Sequence, residues 1–320
     1  MLLILLTVSQ HVDARKLCKL NRRIDSLLSL RYWRANIDTN YIIRPKAKWT
    51  LLGRVNVSGT RINAEGKYNG EHFRTMMRAD LKSTLSLGVS YLGLSLNVSL
   101  NPAKLLGKYH DYELNFKTYG KRFGFEVSYL DAHNFRGWVE RVDVRKNYAT
   151  TKDLFRLRTL DLNAYYVFSP LRFSYPAAFG HSYIQHRSAG SFLLAMSGQG
   201  QWGELTGGNA MTFKMTNVGI GGGYGYNFVP GRGWLFHISA LPTIIVYSHS
   251  SIISNDTRIP LRYHFPRGIV TGRGAIVKQI GRNKCVGLSM VYHFTGIGHK
   301  ESLSVHNQRW FAHLYMGVRL

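Results

Sequence analysis

The sequence predicts an all-β fold: an antiparallel transmembrane β-barrel of about twelve strands, preceded by a short N-terminal amphipathic helix. Three observations carry that expectation. Apolar and polar residues alternate with period two through most of the 320 residues, which marks strands with two unlike faces. The alternating runs are long: Met77 to Tyr91 continues for 15 residues, where globular strands run about 5 or 6 and a bilayer crossing needs about 9 to 11. Aromatic residues stand at strand ends (Tyr91, Tyr129, Phe168, Phe228, Trp234, Phe294, Trp310), where a membrane barrel places its interfacial girdles.

The N-terminus reads differently. Leu2 to Val8 is apolar but far shorter than the roughly 20 residues of a membrane-spanning helix, and it resembles the h-region of a secretory signal. Val12-Asp13-Ala14 places cleavage after Ala14. Residues 1–14 are therefore expected to be a signal peptide, 15–40 a helical leader and 41–320 the barrel. Between 16 and 34 the period-two rule fails. Leu17, Leu20, Ile24, Leu27 and Leu28 recur at helical spacing amid Lys16, Lys19, Arg22, Arg23 and Arg31, the pattern of a basic amphipathic helix. Such a helix could lie at the periplasmic mouth or plug the lumen. The best later candidate for a helical span, Ala240 to Tyr247, contains Pro242.

The strands follow in order. From Met77 to Tyr91 the odd positions are mostly apolar and the even ones polar. After Leu92-Gly93 the apolar set moves to Leu94, Leu96, Val98 and Leu100. A two-residue hairpin loop pairs its flanking residues on one face, so the parity flip marks a tight turn. The same flip occurs across Tyr119-Gly120, from Tyr112, Leu114 and Phe116 to Phe123, Phe125, Val127 and Tyr129. Leu160 to Phe168, Val218 to Phe228, Trp234 to Ile238, Val286 to Phe294 and Trp310 to Leu320 each show one apolar face. Thirteen segments qualify: 49–58, 77–91, 94–101, 110–119, 121–130, 134–146, 157–168, 189–198, 211–228, 233–247, 267–280, 284–295 and 307–320. Bacterial single-chain barrels use an even number, so twelve is expected, with ten and fourteen open. Trp310 to Leu320 is expected to be the closing strand. Gly219, Gly221, Gly223 and Gly225 share one face and leave room for another element. No helical pattern follows them, so they are not read as a phosphate loop.

Several phrases carry a family resemblance: Tyr41-Ile42-Ile43-Arg44-Pro45, Asn69-Gly70, Leu100-Asn101-Pro102-Ala103-Lys104-Leu105, Asp111-Tyr112-Glu113-Leu114-Asn115 and Tyr119-Gly120-Lys121-Arg122-Phe123-Gly124-Phe125. With the terminal strand, they resemble a Bacteroidetes family catalogued as a domain of unknown function, of the 4421 type. The resemblance is clearest over residues 41–140. It implies an outer-membrane β-barrel and no activity, ligand or catalytic residue.

Charge is sparse but one-signed: 42 Lys and Arg against 17 Asp and Glu, a net +25. Arg78, Asp80, Lys82, Glu113, Lys117, Arg122, Glu126, Arg141, Asp143 and Arg145 fall opposite apolar positions. An Arg or Lys facing lipid costs about 2–4 kcal/mol at the midplane, so these ten are expected to face the lumen. There they would form either a mutually neutralising network in a narrow barrel or a basic aqueous path. The molecular role is left as a narrow or gated pore, or a structural or surface barrel. The positive excess suits phosphate-rich lipopolysaccharide among the outer-membrane lipids, and export through the periplasm would bring in the barrel assembly machinery. No nucleic-acid-binding motif is present. Two other classes stay open. His181-Ser182 and His133-Asn134 offer the residue types of a barrel-borne lipid hydrolase, and a soluble secreted β-sandwich binding protein also alternates. No cofactor or metal is expected, since His306 and His313 are an odd spacing apart. Cys18 and Cys285 could pair in an oxidising compartment.

Overall fold

The computed structural model describes residues 25–27, 29–30, 32, 36–68, 70–92, 94–100, 112–133, 135–141, 144–148, 155–205, 211–254, 257–260, 267–299 and 303–320. It divides into residues 1–37 and residues 38–320. In the first unit Asp25–Leu27, Ser29, Leu30 and Tyr32 are helical, in keeping with the spacing of their apolar residues. The rest of the expected helix, the cleavage site and Cys18 lie outside the described residues.

The second unit is an antiparallel barrel. Its elements are β1 (Ile42–Ile43), β2 (Trp49–Tyr68), β3 (Glu71–Ala79), β4 (Lys82–Tyr91), β5 (Leu94–Leu100), β6 (Tyr112–Tyr119), β7 (Phe123–Ala132), β8 (Phe135–Arg141), β9 (Val144–Tyr148) and β10 (Phe155–Val167). There follow α1 (Tyr175–Phe179), β11 (Ile184–Gln185), β12 (Ala189–Leu205), β13 (Met211–Gly231), β14 (Trp234–Ser254), β15 (Thr257–Pro260), β16 (Gly268–Ile280), β17 (Lys284–His299) and β18 (Leu303–Arg319). The ladder runs β6-β7-β10-β12-β13-β14-β16-β17-β18-β2, and β2 then pairs with both β3 and β4. The expected closing strand does close the sheet: β18 pairs with β2 from Leu303↔Gly66 to Arg319↔Thr50.

Several segments are halves of one pass through the wall: β3 with β4, β7 with β8, β9 with β10, and β15 with β16. So grouped, the described residues make twelve passes, the number expected. Two passes, β5 and β6, are short. At one end they wedge between β4 and β7; at the other, β3 pairs directly with β8. The 134–146 segment needs correction. It is not one strand but β8, a reversal and β9, paired Arg141↔Val144. The alternation runs through the turn because both strands of the hairpin are largely polar.

The two ends of the barrel differ. One has tight turns after β4, β6, β13 and β16 and receives both the start of β2 and the end of β18. The other carries the hairpins β2–β3, β8–β9 and β12–β13. β13 and β14 are 21 residues each. At about 3.3 Å per residue and a tilt of about 40°, such a strand stands roughly 53 Å tall, twice the roughly 25 Å of a membrane barrel's apolar band. The wall therefore has two storeys.

In the storey nearer the tight turns, polar residues point in and apolar residues out. In β4, Lys82, Thr84, Ser86 and Ser90 are buried while Leu85, Leu87 and Val89 are exposed, Leu87 by 71%. An exposed apolar belt continues over Val55, Phe125, Leu162, Met196, Ile220, Ile238, Leu288 and Leu314. At its edge Trp49 packs against Tyr91 with the rings tilted and their centres 4.3 Å apart. Toward the hairpins the pattern inverts. Ile62, Ala79, Leu130, Ala132, Phe135, Phe155 and Leu157 form an apolar core inside, with Met77, Phe213 and Val305 against it. The change of facing between β3 and β4 is made by a bulge. Arg61 pairs Arg78 and Ser58 pairs Lys82, so three residues (Ala79, Asp80, Leu81) oppose two (Gly59, Thr60). Met77 and Ala79 thus face in, although an unbroken strand puts them on the face of Leu85 and Leu87.

Candidate functional site

The candidate site is the lumen of the lower storey, which is filled by two layers. The first is a charged layer whose members reach from wall to wall. Glu126 on β7 accepts hydrogen bonds from the Arg273 guanidinium of β16 at 3.1 Å and from the Tyr119 hydroxyl at 2.7 Å. The Glu126 and Arg273 side chains are 3% and 1% exposed. Arg309 on β18 donates to Asp161 on β10 and, at 3.1 Å, to the Ser128 hydroxyl. In ladder order Arg273 stands five strands from Glu126, and Arg309 six from Asp161. Each pair therefore bridges the lumen rather than running along the wall. Around them His293 contacts Thr271 at 3.1 Å, His313 contacts Asn56 at 2.7 Å, and Lys117 lies 3.5 Å from His313. A cavity of about 20 Å³, room for a single water, remains between Arg54, Asn56, Lys117, Tyr119, His313 and Tyr315.

The second layer is a plug made by the connection between β10 and β12. Ser174 caps α1 by accepting from the Ala177 amide at 3.2 Å, Pro176 occupies the first turn, and Gly180 follows the end. The five helical residues are all buried. Tyr175 is 0% exposed, stacks on Tyr165 with ring centres 4.5 Å apart and bonds Ser239 through its hydroxyl at 2.7 Å. Phe179 lies 5.3 Å from the Tyr119 ring, and its carbonyl accepts from Arg54 at 3.2 Å. The His181 carbonyl accepts from the buried Arg319 at 3.0 Å. The glycine face receives this plug at one point: a Cβ on Gly225 would stand 3.0 Å from the Phe173 ring. A strap holds the plug from below. β1 pairs with β11, and Asp38 bonds Arg172 at 3.3 Å.

Of the ten charged residues expected in the lumen, Lys82, Lys117 and Glu126 are there. Five are not. Arg78 and Arg141 are exposed in the upper storey, Arg145 covers the Trp138 ring at 4.3 Å, and Asp80 pairs with the outward Arg136 at 2.9 Å. Arg122 is exposed beside a tight turn, 3.3 Å from the Tyr166 hydroxyl. The reason is common to the first four: above the apolar belt the outside of the wall meets water and the inside is dry, so charge belongs outside. Glu113 lies on β6 opposite Leu130; its side chain and Asp143 lie outside the described residues. Asp161, Arg273 and Arg309, and His313 as a lumen residue rather than a metal ligand, are also within reach of the parity rule. Leu160 and Leu162 outside put Asp161 inside, and Leu314 and Met316 outside put His313 inside.

The other candidates are dispersed. His181 and Ser182 are buried in the plug, with His181 4.5 Å from the Tyr315 ring. His133 lies 3.8 Å from Asp131, and Asn134 is outside the described residues. His306 stacks on Phe294, away from His313. Cys285 is buried and forms no disulfide among the described residues. At the turn after β6, burial lowers the Lys121 pKa to about 8, with Arg122 and Arg44 adding to the effect.

Among solved structures, the chain is similar to the outer membrane protease OmpT from Escherichia coli. The identity is 8% over 86% of this chain and 97% of that one, with a TM-score of 0.44. It is also similar to the outer membrane protein OprG from Pseudomonas aeruginosa, at 10% identity, 87% and 99% coverage and a TM-score of 0.31. The transport unit of the autotransporter AIDA-I from Escherichia coli follows at 12% identity, 93% and 97% coverage and a TM-score of 0.30. Likenesses this distant carry no argument about activity. No curated protein matches the sequence. A family model does match, over residues 36–320, and it covers the strap, the plug and every strand of the barrel. The chain belongs to the family described as domain of unknown function DUF4421.

Proposed function

We propose that this protein is an outer-membrane barrel that stands closed, a structural and surface-presenting protein rather than an open pore. The observation that carries the reading is the pair of lumen-crossing ion pairs, Glu126–Arg273 and Asp161–Arg309, capped by the α1 plug. An aqueous path would have to break buried charge pairs, and removing one partner of such a pair costs about 3–5 kcal/mol. The apolar belt and its aromatic edge support a bilayer position. Short turns on one side support that side as periplasmic, since membrane barrels keep their short turns there. The upper storey then stands outside the cell, after export through the periplasm. A lipid hydrolase is disfavoured because His181 and Ser182 are enclosed by the plug.

Purified protein in planar bilayers tests the reading. It should show heat-modifiable migration on a gel and no stepwise current. Steady single-channel currents from the intact chain would refute closure. A gated pore is the second reading, favoured by one observation: the plug belongs to a single connection rather than to the wall. Under it, replacing residues 171–183 by a short Gly-Ser linker releases current.

A further inference from the structure

We propose that Arg61, Arg78 and Arg136 form a binding site for the phosphate groups of an anionic lipid in the outer leaflet. The site rests on the outer-membrane reading above. The three residues stand on adjacent strands in direct register, Arg61↔Arg78 on β2 and β3 and Arg78↔Arg136 on β3 and β8, and all three are exposed. Like charges directly opposite one another in a sheet destabilise it, so this row weakens the fold unless an anion joins it. Asp80 meets Arg136 at 2.9 Å, and among the described residues Arg61 reaches the neutral Asn63 at 3.2 Å. Arg78 has no ion pair among the described residues. Three guanidinium groups less one carboxylate leave two positive charges.

A nearby row shows that the wall is not basic throughout. Four residues along, Glu65↔Arg74, Arg74↔Glu140 and Glu140↔Arg145 alternate in sign and balance. The depth of the arginine row points to the ligand. The outward position two residues nearer the belt on β2 is Gly59, covered by the indole of Trp310, which in turn pairs with Tyr292. Indole and phenol rings mark the bilayer interface. The arginines therefore sit about 5 Å farther out, at about 3.3 Å per residue and a tilt of about 40°, where lipid phosphates lie. Planar guanidinium groups bind phosphate oxygens two at a time.

The test uses the full chain folded in detergent and the triple variant R61Q/R78Q/R136Q. Both are titrated by native mass spectrometry with bisphosphorylated lipid A, with the same lipid stripped of phosphate, and with inorganic phosphate as competitor. The triple variant should bind the phosphorylated lipid roughly a hundredfold more weakly, about fivefold for each arginine near a charged surface. Dephosphorylated lipid should bind both proteins equally weakly, and phosphate ion at equal concentration should not compete. R74Q, in the balanced row, should keep the wild-type affinity. Heat-modifiable migration verifies that each variant is folded. Equal binding of phosphorylated lipid by wild type and triple variant would overturn the site, as would competition by phosphate ion, which would make it a free-anion site. Failure of the wild type to enter membranes would overturn the outer-membrane reading as well; normal entry with unchanged lipid binding overturns this site alone.

Discussion

Replacing Glu126 by Gln tests the charged layer most directly. The carboxylate receives the Arg273 guanidinium at 3.1 Å and the Tyr119 hydroxyl at 2.7 Å, and almost none of it reaches solvent. Glutamine keeps the shape and one acceptor but leaves a buried guanidinium without its counter-charge. Breaking a buried pair from one side costs about 3–5 kcal/mol. With a urea slope of about 2 kcal/mol/M, the midpoint of unfolding should fall by roughly 1.5–2.5 M. The double variant E126L/R273M replaces both charged side chains by apolar ones of similar volume, and such replacements are often neutral or stabilising by about 1–4 kcal/mol. Its midpoint should recover to at least the wild-type value. The assay is urea titration of the folded barrel, followed by tryptophan fluorescence and heat-modifiable migration. An E126Q midpoint within error of wild type, or a double variant weaker than both singles, would refute a lumen-bridging pair. Arg273 would then be neutralised from elsewhere.

Facing is tested by cysteine at two adjacent positions: Leu87→Cys should react with a lipid-soluble maleimide but not a charged one, whereas Ser86→Cys should resist both until the plug is removed. Gly225→Val drives a side chain into the Phe173 ring, so it should cost about 1–3 kcal/mol from overpacking, measured as a lower urea midpoint with faster protease nicking between residues 168 and 188. Lys121, with its pKa lowered to about 8, is half neutral at pH 8; mass-spectrometric footprinting should find it acylated well before the surface lysines Lys46 and Lys67, and equal rates would count against the lowered pKa.

Much of this barrel was legible because a membrane wall sorts residues by face. Leu85 and Leu87 against Thr84 and Ser86 needed only the alternation and a tight turn at Leu92 to be placed. The sorting rule itself changes above the belt, and period two does not announce where. The alternation alone therefore puts Arg78 in the lumen, and only the three-against-two bulge at residues 79–81 turns it outward. The plug is hard to read from the sequence for another reason. Residues 168–188 have no period, and their core is a five-residue helix. Its marks were nonetheless present: Ser174 as cap, Pro176 in the first turn and Gly180 at the end form a start-and-stop signature. The pairing of Glu126 with Arg273 had no local trace. Their separation of 147 residues is closed only by the curvature of the whole sheet.

In the outer-membrane orientation proposed above, the two storeys also resist sliding of the barrel through the bilayer. For the barrel to slip back toward the periplasm, the outward arginines of the upper wall would have to be dragged through hydrocarbon. Arg61, Arg78 and Arg136 alone would meet about 6–12 kcal/mol at the midplane, at about 2–4 kcal/mol each. At the opposite edge of the belt, the Trp49 and Tyr91 rings favour the bilayer interface and resist motion in the other direction. Under that reading the upper wall acts as a barb, and this row of charge holds the barrel at a single height.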